Sequence, residues 1–188
     1  VNGPVAMALL PAASALLAMI SLAPWVIQML YASSFSPAVE ILRWQALGDI
    51  FKVASVPVVF IFLATGHGGL AIGIQILWSS LYLGALFVGF EKFGLVMAGV
   101  AFWIAYLIYY VAAVVAANRL IGYRPTRRSL LLTAILLVAG GVTIALSTSH
   151  ATAGYVFGIA ATFLVGGYSL RRLNQLVDVI GWLRLKFR

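Results

Sequence analysis

Six long apolar stretches, separated by short polar segments, account for most of this 188-residue chain. Each stretch is close to or above the roughly 20 residues that an α-helix needs to cross the hydrocarbon core of a bilayer. The pattern therefore predicts six spanning helices, at about residues 4–30, 37–64, 70–90, 95–117, 129–146 and 153–170. We expect kinks at Pro11, Pro24 and Pro57, which are tolerated where a neighbouring helix or water satisfies the freed carbonyls.

The composition supports a membrane location. Charged residues make up 9% of the chain and hydrophobic residues 64%, with a mean hydropathy of +1.10. About a quarter of the residues in a typical soluble domain are charged, so these few charges cannot cover a surface that faces water. We predict an all-α polytopic transmembrane bundle over residues 1–172, followed by a basic cytoplasmic tail at 173–188.

Basic residues are concentrated at two predicted membrane ends. The segment 118–128 contains four arginines and the segment 171–188 contains five basic residues, whereas the STSHAT turn before the sixth helix contains none. By the positive-inside rule, both basic segments and the C-terminus should be cytoplasmic. The net charge of +8 therefore indicates anionic lipid headgroups, rather than nucleic acid, as partners.

The two ends of the chain carry separate signals. The tail alternates apolar with basic residues and includes Trp182, which predicts an amphipathic helix in the membrane interface. The alternative is a frayed basic tail that only enforces topology.

The chain begins with Val1 and enters an apolar helix without the basic region of a signal peptide, so we interpret it as the C-terminal part of a longer polypeptide.

Residue types that common catalytic and metal sites require are scarce. The chain has no cysteine, and His67 and His150 lie far apart without the spacing of metal ligands. No nucleophile–base arrangement or glycine-rich phosphate loop is apparent in the sequence. We therefore expect no metal, no cofactor and no enzymatic activity.

The exception to the apolar pattern is the segment ILRWQALGDIFKV in the second predicted helix. At about 100° per residue, Gln45, Asp49 and Lys52 share one narrow face. Glu40 and Arg43 fall on the opposite side, with the spacing of a helical ion pair. Ionisable groups at membrane depth are costly and usually face a bundle interior or a watery cavity, so this segment is the candidate for function.

Depth separates these two groups. If the second helix enters from outside near Pro37, a rise of 1.5 Å per residue puts Arg43 only about 9 Å into the membrane. Its side chain is then expected to snorkel outward beside Glu40. Asp49 and Lys52 fall about 18–23 Å in, near the bilayer midplane or beyond it, where snorkelling is difficult.

Two interpretations of the deep polar face stay open. In the structural one, a buried Asp49–Lys52 ion pair locks the second helix to a neighbour. In the functional one, Gln45, Asp49 and Lys52 line a cavity for an anionic or sugar-bearing substrate or for a coupling cation. A cationic side chain in a cavity of low dielectric constant could pair with a phosphate, and the aspartate could relay an ion or a proton.

A glycine motif and the aromatic residues of the chain are expected to have structural roles in helix packing or at the membrane interface, rather than roles in binding a substrate. Gly154 and Gly158 have the spacing of a GxxxG helix-packing motif. Trp78, Trp103 and the tyrosines of the fourth helix are expected in interface belts or in the core, rather than as platforms on which sugars stack.

A wider pattern surrounds the charged segment. It comprises Leu30-Tyr31 through Phe35, Leu42-x-Trp44-Gln45-x-Leu47-Gly48-Asp49-x-x-Lys52-Val53, Ala64-Thr65-Gly66, and Phe93-Gly94-Leu95 before a tyrosine-rich helix. This pattern, over about residues 30–123, resembles bacterial Wzx-type flippases of the multidrug/oligosaccharidyl-lipid/polysaccharide superfamily. The last hairpin and the tail match that family only in hydropathy.

The resemblance implies a carrier with two six-helix lobes, in which this chain would form about the last six of twelve to fourteen helices. Such carriers move undecaprenyl-diphosphate-linked oligosaccharide, for example O-antigen units, across the bacterial inner membrane by alternating access. H⁺ or Na⁺ coupling and polysaccharide-assembly proteins would accompany this activity. By the same resemblance, Lys52 and Arg43 would bind the diphosphate, Asp49 the coupling ion, and Gln45 and Trp44 the sugar.

Two alternative functions stay open. A carrier of the same superfamily could take another cargo, either a peptidoglycan lipid precursor or a cationic drug, although Lys52 disfavours the drug. A membrane polysaccharide polymerase or glycosyltransferase would usually have a large polar loop outside the membrane, whereas the longest predicted loop here has about eleven residues.

Overall fold

The computed structural model of the chain describes residues 2–31, 35–149 and 151–177. These residues form six α-helices, and all six are long and apolar enough to cross a membrane. In chain order the helices are α1 (Asn2–Leu30), α2 (Ala38–Ala64), α3 (Gly68–Phe93), α4 (Val96–Ile121), α5 (Arg127–Ser149) and α6 (Ala151–Val177). The predicted all-α, six-span architecture of a multi-pass membrane protein is confirmed.

The predicted interfacial helix of the basic tail is only partly covered by the described residues. Helix α6 continues beyond the predicted membrane end as far as Val177, so residues 173–177 are helical. Residues 178–188, which include Trp182, lie outside the described residues. The amphipathic tail helix therefore stays a prediction.

Glycines close two of the turns between helices. Gly66, after α2, has a φ of 78°, and Gly122, after α4, has a φ of 66°. A side chain would be strained in this left-handed region, so glycine there ends the helix with little conformational cost. The turn after α4 is further held by Asn118, whose amide donates a 2.9 Å hydrogen bond to the carbonyl of Tyr123.

Helix α2 occupies the centre of the bundle. It packs mainly against α4 on one side and α1 on the other, and it also touches α5. Helix α3 packs on the outer side of α4 and only lightly on α2, while α6 packs against α1 and α5. As a result α2 is the most buried of the six spans and α3 the least.

The two central helices approach closely because each places glycine in their interface. A Cβ atom added to Gly48 would lie 2.8 Å from the Phe102 ring, and one added to Gly99 would lie 2.7 Å from Cβ of Trp44 and 2.8 Å from the carbonyl oxygen of Ile41. The contacts advance in the same direction along both helices, so α2 and α4 run parallel. Without an aqueous phase to drive burial, such close van der Waals packing is a main source of cohesion between spans.

The predicted GxxxG motif packs α6 against two other helices. Gly154 faces Ser147 of α5, and Gly158 contacts both Ser21 of α1 and Thr143 of α5. The predicted packing role of the motif is therefore confirmed. The order of the contacts also establishes that α5 and α6 run antiparallel.

Arginines from three helices and one turn lie at the same end of the bundle. Antiparallel packing brings the start of α5 beside the end of α6, where the guanidinium of Arg128 donates a 2.9 Å hydrogen bond to the hydroxyl of Tyr168. The end of α4 leads directly into α5 at this end. The described arginines of this end are Arg119, Arg124, Arg127, Arg128 and Arg171.

Candidate functional site

Asp49 and Lys52 form an ion pair within α2. The Lys52 ammonium lies 3.5 Å from Oδ1 of Asp49, and the side chains of Lys52 and Asp49 are 50% and 30% exposed, respectively. Lys52 is fourteen residues from the start of α2 at Ala38 and twelve from its end at Ala64. At 1.5 Å per residue, these distances are about 21 Å and 18 Å, so the pair lies near the middle of the span.

The structural interpretation, in which this ion pair is buried and locks α2 to a neighbour, was wrong. The ion pair is present between two residues of α2, as predicted, but neither side chain is buried. It therefore does not lock α2 to a neighbour. The contact that does cross to another helix is between the Lys52 ammonium and the ring of Tyr106 in α4, 5.7 Å from the ring centroid, within the range of a cation–π interaction.

Beside this pair lies a groove of about 240 Å³ between α2, α3 and α4. We call it the polar groove. Five of its lining residues carry polar atoms: Lys52, Ser55, Gln75, Tyr106 and Tyr109. The remaining wall is aliphatic and aromatic, from Val56, Val59, Phe60 and Leu63.

An aromatic cluster extends from the wall of the polar groove. The Trp78 ring of α3 lies 4.9 Å from the Tyr106 ring and stacks on Tyr82 at 5.6 Å, with an interplanar angle of 2°. Phe102 closes the cluster against Tyr106 at 4.7 Å. The buried indole Nε1 of Trp78 has no hydrogen-bond partner among the described residues. A buried donor without a partner is costly, so the placement of Trp78 in the cluster carries a cost in stability.

Gln45 and Trp44, the residues expected to contact sugar, do not line the polar groove as Lys52 does. Gln45 is half-buried one turn from Asp49 and is not among the residues that line the polar groove. Trp44 packs against Trp103 at 5.8 Å in the α2–α4 interface. Gly99 provides the space for it there.

The predicted position of Arg43 was wrong. Arg43 is only 6% exposed, so its guanidinium does not snorkel outward. Its Nε instead donates a 3.2 Å hydrogen bond to the carbonyl oxygen of Ile20 in α1. Among the described residues it makes no ion pair with Glu40. The side chain turns inward because α1 covers the face of α2 opposite the deep polar residues.

Several groove residues were not predicted as candidates for the site. From the sequence, Gln75 has no predicted role, and Tyr106 and Tyr109 are expected only in interface belts or in the core. A weak signal was present, because Phe102, Tyr106 and Tyr109 recur at the three- and four-residue spacing of one helical face. The same spacing is equally typical of core packing, and the hydropathy pattern does not reveal which helix faces Lys52.

Comparisons with protein-family models, with curated proteins and with solved structures find no match to this chain. Within the described residues, no group of three or more His, Cys, Asp or Glu side chains is arranged to hold a metal ion. Inference about function therefore rests on the polar groove and on its position within the membrane span.

Proposed function

We propose that this chain is the C-terminal lobe of a carrier that moves undecaprenyl-diphosphate-linked oligosaccharide across the bacterial inner membrane by alternating access. The observation that carries the proposal is the partly exposed Asp49–Lys52 pair near the middle of α2, beside a groove with aromatic walls. Charges at this depth are costly and are usually retained for transport of ions or substrates. Because the pair is open on one side, both groups remain accessible to a ligand.

Lys52 suits the diphosphate of such a cargo. Its ammonium is a compact positive charge with three donors, and Asp49 is its only carboxylate partner within the described residues. A diphosphate bound to Lys52 would compete with Asp49 for the ammonium. The released carboxylate would then bind H⁺ or Na⁺, which gives a simple route for coupling cargo binding to a cation gradient.

The aromatic cluster suits the sugar part of the cargo. The Tyr106 ring lies beside Lys52 and is backed by Trp78 of α3, and the Gln75 amide is a polar group in the wall of the groove. Ligand sites of this type combine mostly apolar walls with a few polar groups that fix orientation. In this proposal Gln45 takes a secondary position one turn from the pair. Trp44 and Arg43 pack α2 against α4 and α1, and so hold the helix that carries the Asp49–Lys52 pair.

The charge distribution supports a cytoplasmic C-terminus. The arginines at the ends of α4 and α6 and at the start of α5 lie at one end of the bundle, as expected for the cytoplasmic side of an inner-membrane protein. The open side of α2 and the exposed face of α3 are then available to a second lobe that completes the cavity. Polysaccharide-assembly proteins that supply and consume the cargo are the proposed partners.

The proposal is tested by neutralising each member of the pair in the full-length protein. Asp49→Asn and Lys52→Gln should each abolish surface polysaccharide in cells that depend on this carrier, with lipid-linked oligosaccharide accumulating on the cytoplasmic side. Lys92→Gln is the matched control, because Lys92 is an exposed lysine in the last turn of α3. Membrane insertion of all three variants is measured by immunoblotting of membrane fractions.

Normal surface polysaccharide in both pair variants would exclude the groove as the transport path. Transport assays with a polyprenyl-diphosphate saccharide and with a cationic drug, performed in parallel on the full-length protein, separate the two cargo classes. Transport of the drug alone would contradict the role of Lys52 as the anion-binding group.

A further inference from the structure

A second groove lies on the opposite side of the bundle, between α1, α5 and α6. It has a volume of about 320 Å³, and its lining residues are Leu9, Ala13, Leu132, Ile135, Leu136, Leu164, Val165 and Tyr168. Apart from the Tyr168 hydroxyl, every lining side chain is hydrocarbon. We call this the apolar groove. It shares no residue with the polar groove.

The apolar groove opens outward rather than into the bundle. Its floor is fully packed, with Leu9 and Leu136 only 1% and 3% exposed, whereas Leu164 and Ile135 on its rim are 75% and 57% exposed. In a multi-pass membrane protein, an open hydrocarbon surface on the outside of the bundle faces the lipid phase. The groove is therefore accessible to a lipid chain without any movement of the helices.

The mouth of the apolar groove is cationic. The guanidinium of Arg128 donates to the hydroxyl of Tyr168, which itself lines the groove. Arg171 follows Tyr168 by three residues on α6, the spacing of side chains on the same helical face, and Arg127 begins α5. None of these three arginines makes an ion pair with a carboxylate among the described residues. The start of α5 also places the positive end of its helix dipole at this mouth.

The length of the apolar groove along the membrane normal is comparable to the hydrocarbon thickness of one leaflet. Leu136 follows Arg128 by eight residues on α5, so the two residues are separated by about 12 Å along the membrane normal at 1.5 Å per residue. One leaflet contributes about half of the roughly 30 Å hydrocarbon core. A phosphate at the level of Arg128 therefore allows an acyl chain to follow the groove inward for most of that leaflet.

We infer that the apolar groove is a binding site for an anionic glycerophospholipid. One acyl chain lies against Leu136 and Leu164, and the phosphate pairs with Arg128 and Arg171. Clustered basic residues beside spanning helices are a recognised chemistry for acidic headgroups. The inference does not depend on the proposed transport function, because it uses a different set of residues on another face of the bundle.

Native mass spectrometry of the intact protein tests this inference directly. The protein is presented with equal amounts of phosphatidylglycerol and phosphatidylcholine of the same acyl chains. We expect one phosphatidylglycerol to be retained in preference to phosphatidylcholine. Arg128→Gln should reduce that preference about fivefold, the effect of losing one basic contact worth ~1 kcal/mol. Arg119→Gln is the matched control, because it removes one arginine from the same end of the bundle, on α4, away from the groove.

A second pair of variants tests the hydrocarbon part of the site. Leu164→Trp puts bulk into the rim of the apolar groove and should weaken lipid retention, whereas Phe163→Trp changes an equally exposed neighbour that does not line the groove. Equal retention of the two lipids by the unmodified protein, or equal effects of Arg128→Gln and Arg119→Gln, would overturn the inference. Displacement of phosphatidylglycerol by an equimolar polyprenyl phosphate would also overturn it, because the site would then belong to the cargo.

Discussion

The Nε atom of Arg43 donates a hydrogen bond to the carbonyl oxygen of Ile20, a group that a proline leaves without its helical partner. In a regular helix this carbonyl would accept from the N–H of residue 24, but Pro24 has none. Arg43 approaches from α2 and satisfies it at 3.2 Å. A buried arginine and a helix-interrupting proline, each costly alone, are therefore complementary features of the α1–α2 interface.

Replacing Arg43 should have an effect that depends on Pro24. Arg43→Met leaves the Ile20 carbonyl unsatisfied and should lower the free energy of unfolding by about 1–3 kcal/mol. In a Pro24→Ala background the restored N–H can bond that carbonyl, so the same change should cost less. Unfolding of the purified protein in detergent, measured for the four proteins of this double-mutant cycle, gives the coupling energy.

Pro11→Ala is the control for this cycle. Pro11 is also inside α1, but the carbonyl that it frees is one that Arg43 does not contact. Arg43→Met should therefore cost the same in the Pro11→Ala background as in the unmodified protein. Equal costs in the Pro24→Ala background as well would show that the arginine does not act through the proline.

Exchanging the members of the polar pair should separate stability from transport. The Asp49→Lys, Lys52→Asp double variant preserves an i, i+3 ion pair on the same face of α2. Since partly exposed pairs contribute only about 0–1 kcal/mol, the unfolding temperature should change little. Transport should nevertheless be lost, because the cation no longer lies beside Tyr106 and the groove. Full transport by the exchanged pair would contradict specific roles for Asp49 and Lys52.

The ring of Tyr106 should matter more than its hydroxyl. The ring contacts both the Lys52 ammonium and the Trp78 indole, and a cation–π contact is worth about 0.5–2 kcal/mol. Tyr106→Phe keeps these contacts and should retain most cargo transport. Tyr106→Leu removes them and should reduce it. The comparison is made with vesicles containing equal amounts of each inserted variant, and similar losses in both variants would instead assign the role to the hydroxyl.

Glycine substitutions should have opposite effects in the α2–α4 interface and on the surface of α3. Gly99→Ala brings a Cβ to 2.7 Å from Trp44 and 2.8 Å from the Ile41 carbonyl oxygen, so overpacking should destabilise the protein by about 1–3 kcal/mol. Gly84 has nothing within 4 Å of the corresponding position. Gly84→Ala should therefore be neutral or stabilise α3 by about 0.5–1 kcal/mol. Thermal unfolding in detergent distinguishes the two, and equal shifts would contradict the close approach of α2 and α4.

Sequence patterns were sufficient for features that depend on local composition. The six spans follow from hydropathy, because transfer of each segment into hydrocarbon depends on its own residues. The common face of Asp49 and Lys52, and their position near mid-span, follow from helix periodicity alone. The packing role of Gly154 and Gly158 was also predictable, although their partners Ser21, Ser147 and Thr143 were not.

Contacts between distant segments required the tertiary structure. Arg43 lies at the predicted depth range of a snorkelling side chain, yet it turns inward because α1 covers that face of α2 and offers the carbonyl that Pro24 frees. Tyr106 and Gln75 reach the polar groove through the parallel packing of α4 on α2 and the outer position of α3. Hydropathy determines the number of spans and their depth. The rotation of each helix and the identity of its neighbours depend on how small residues, prolines and aromatic rings pack together. That packing exists only in the assembled bundle.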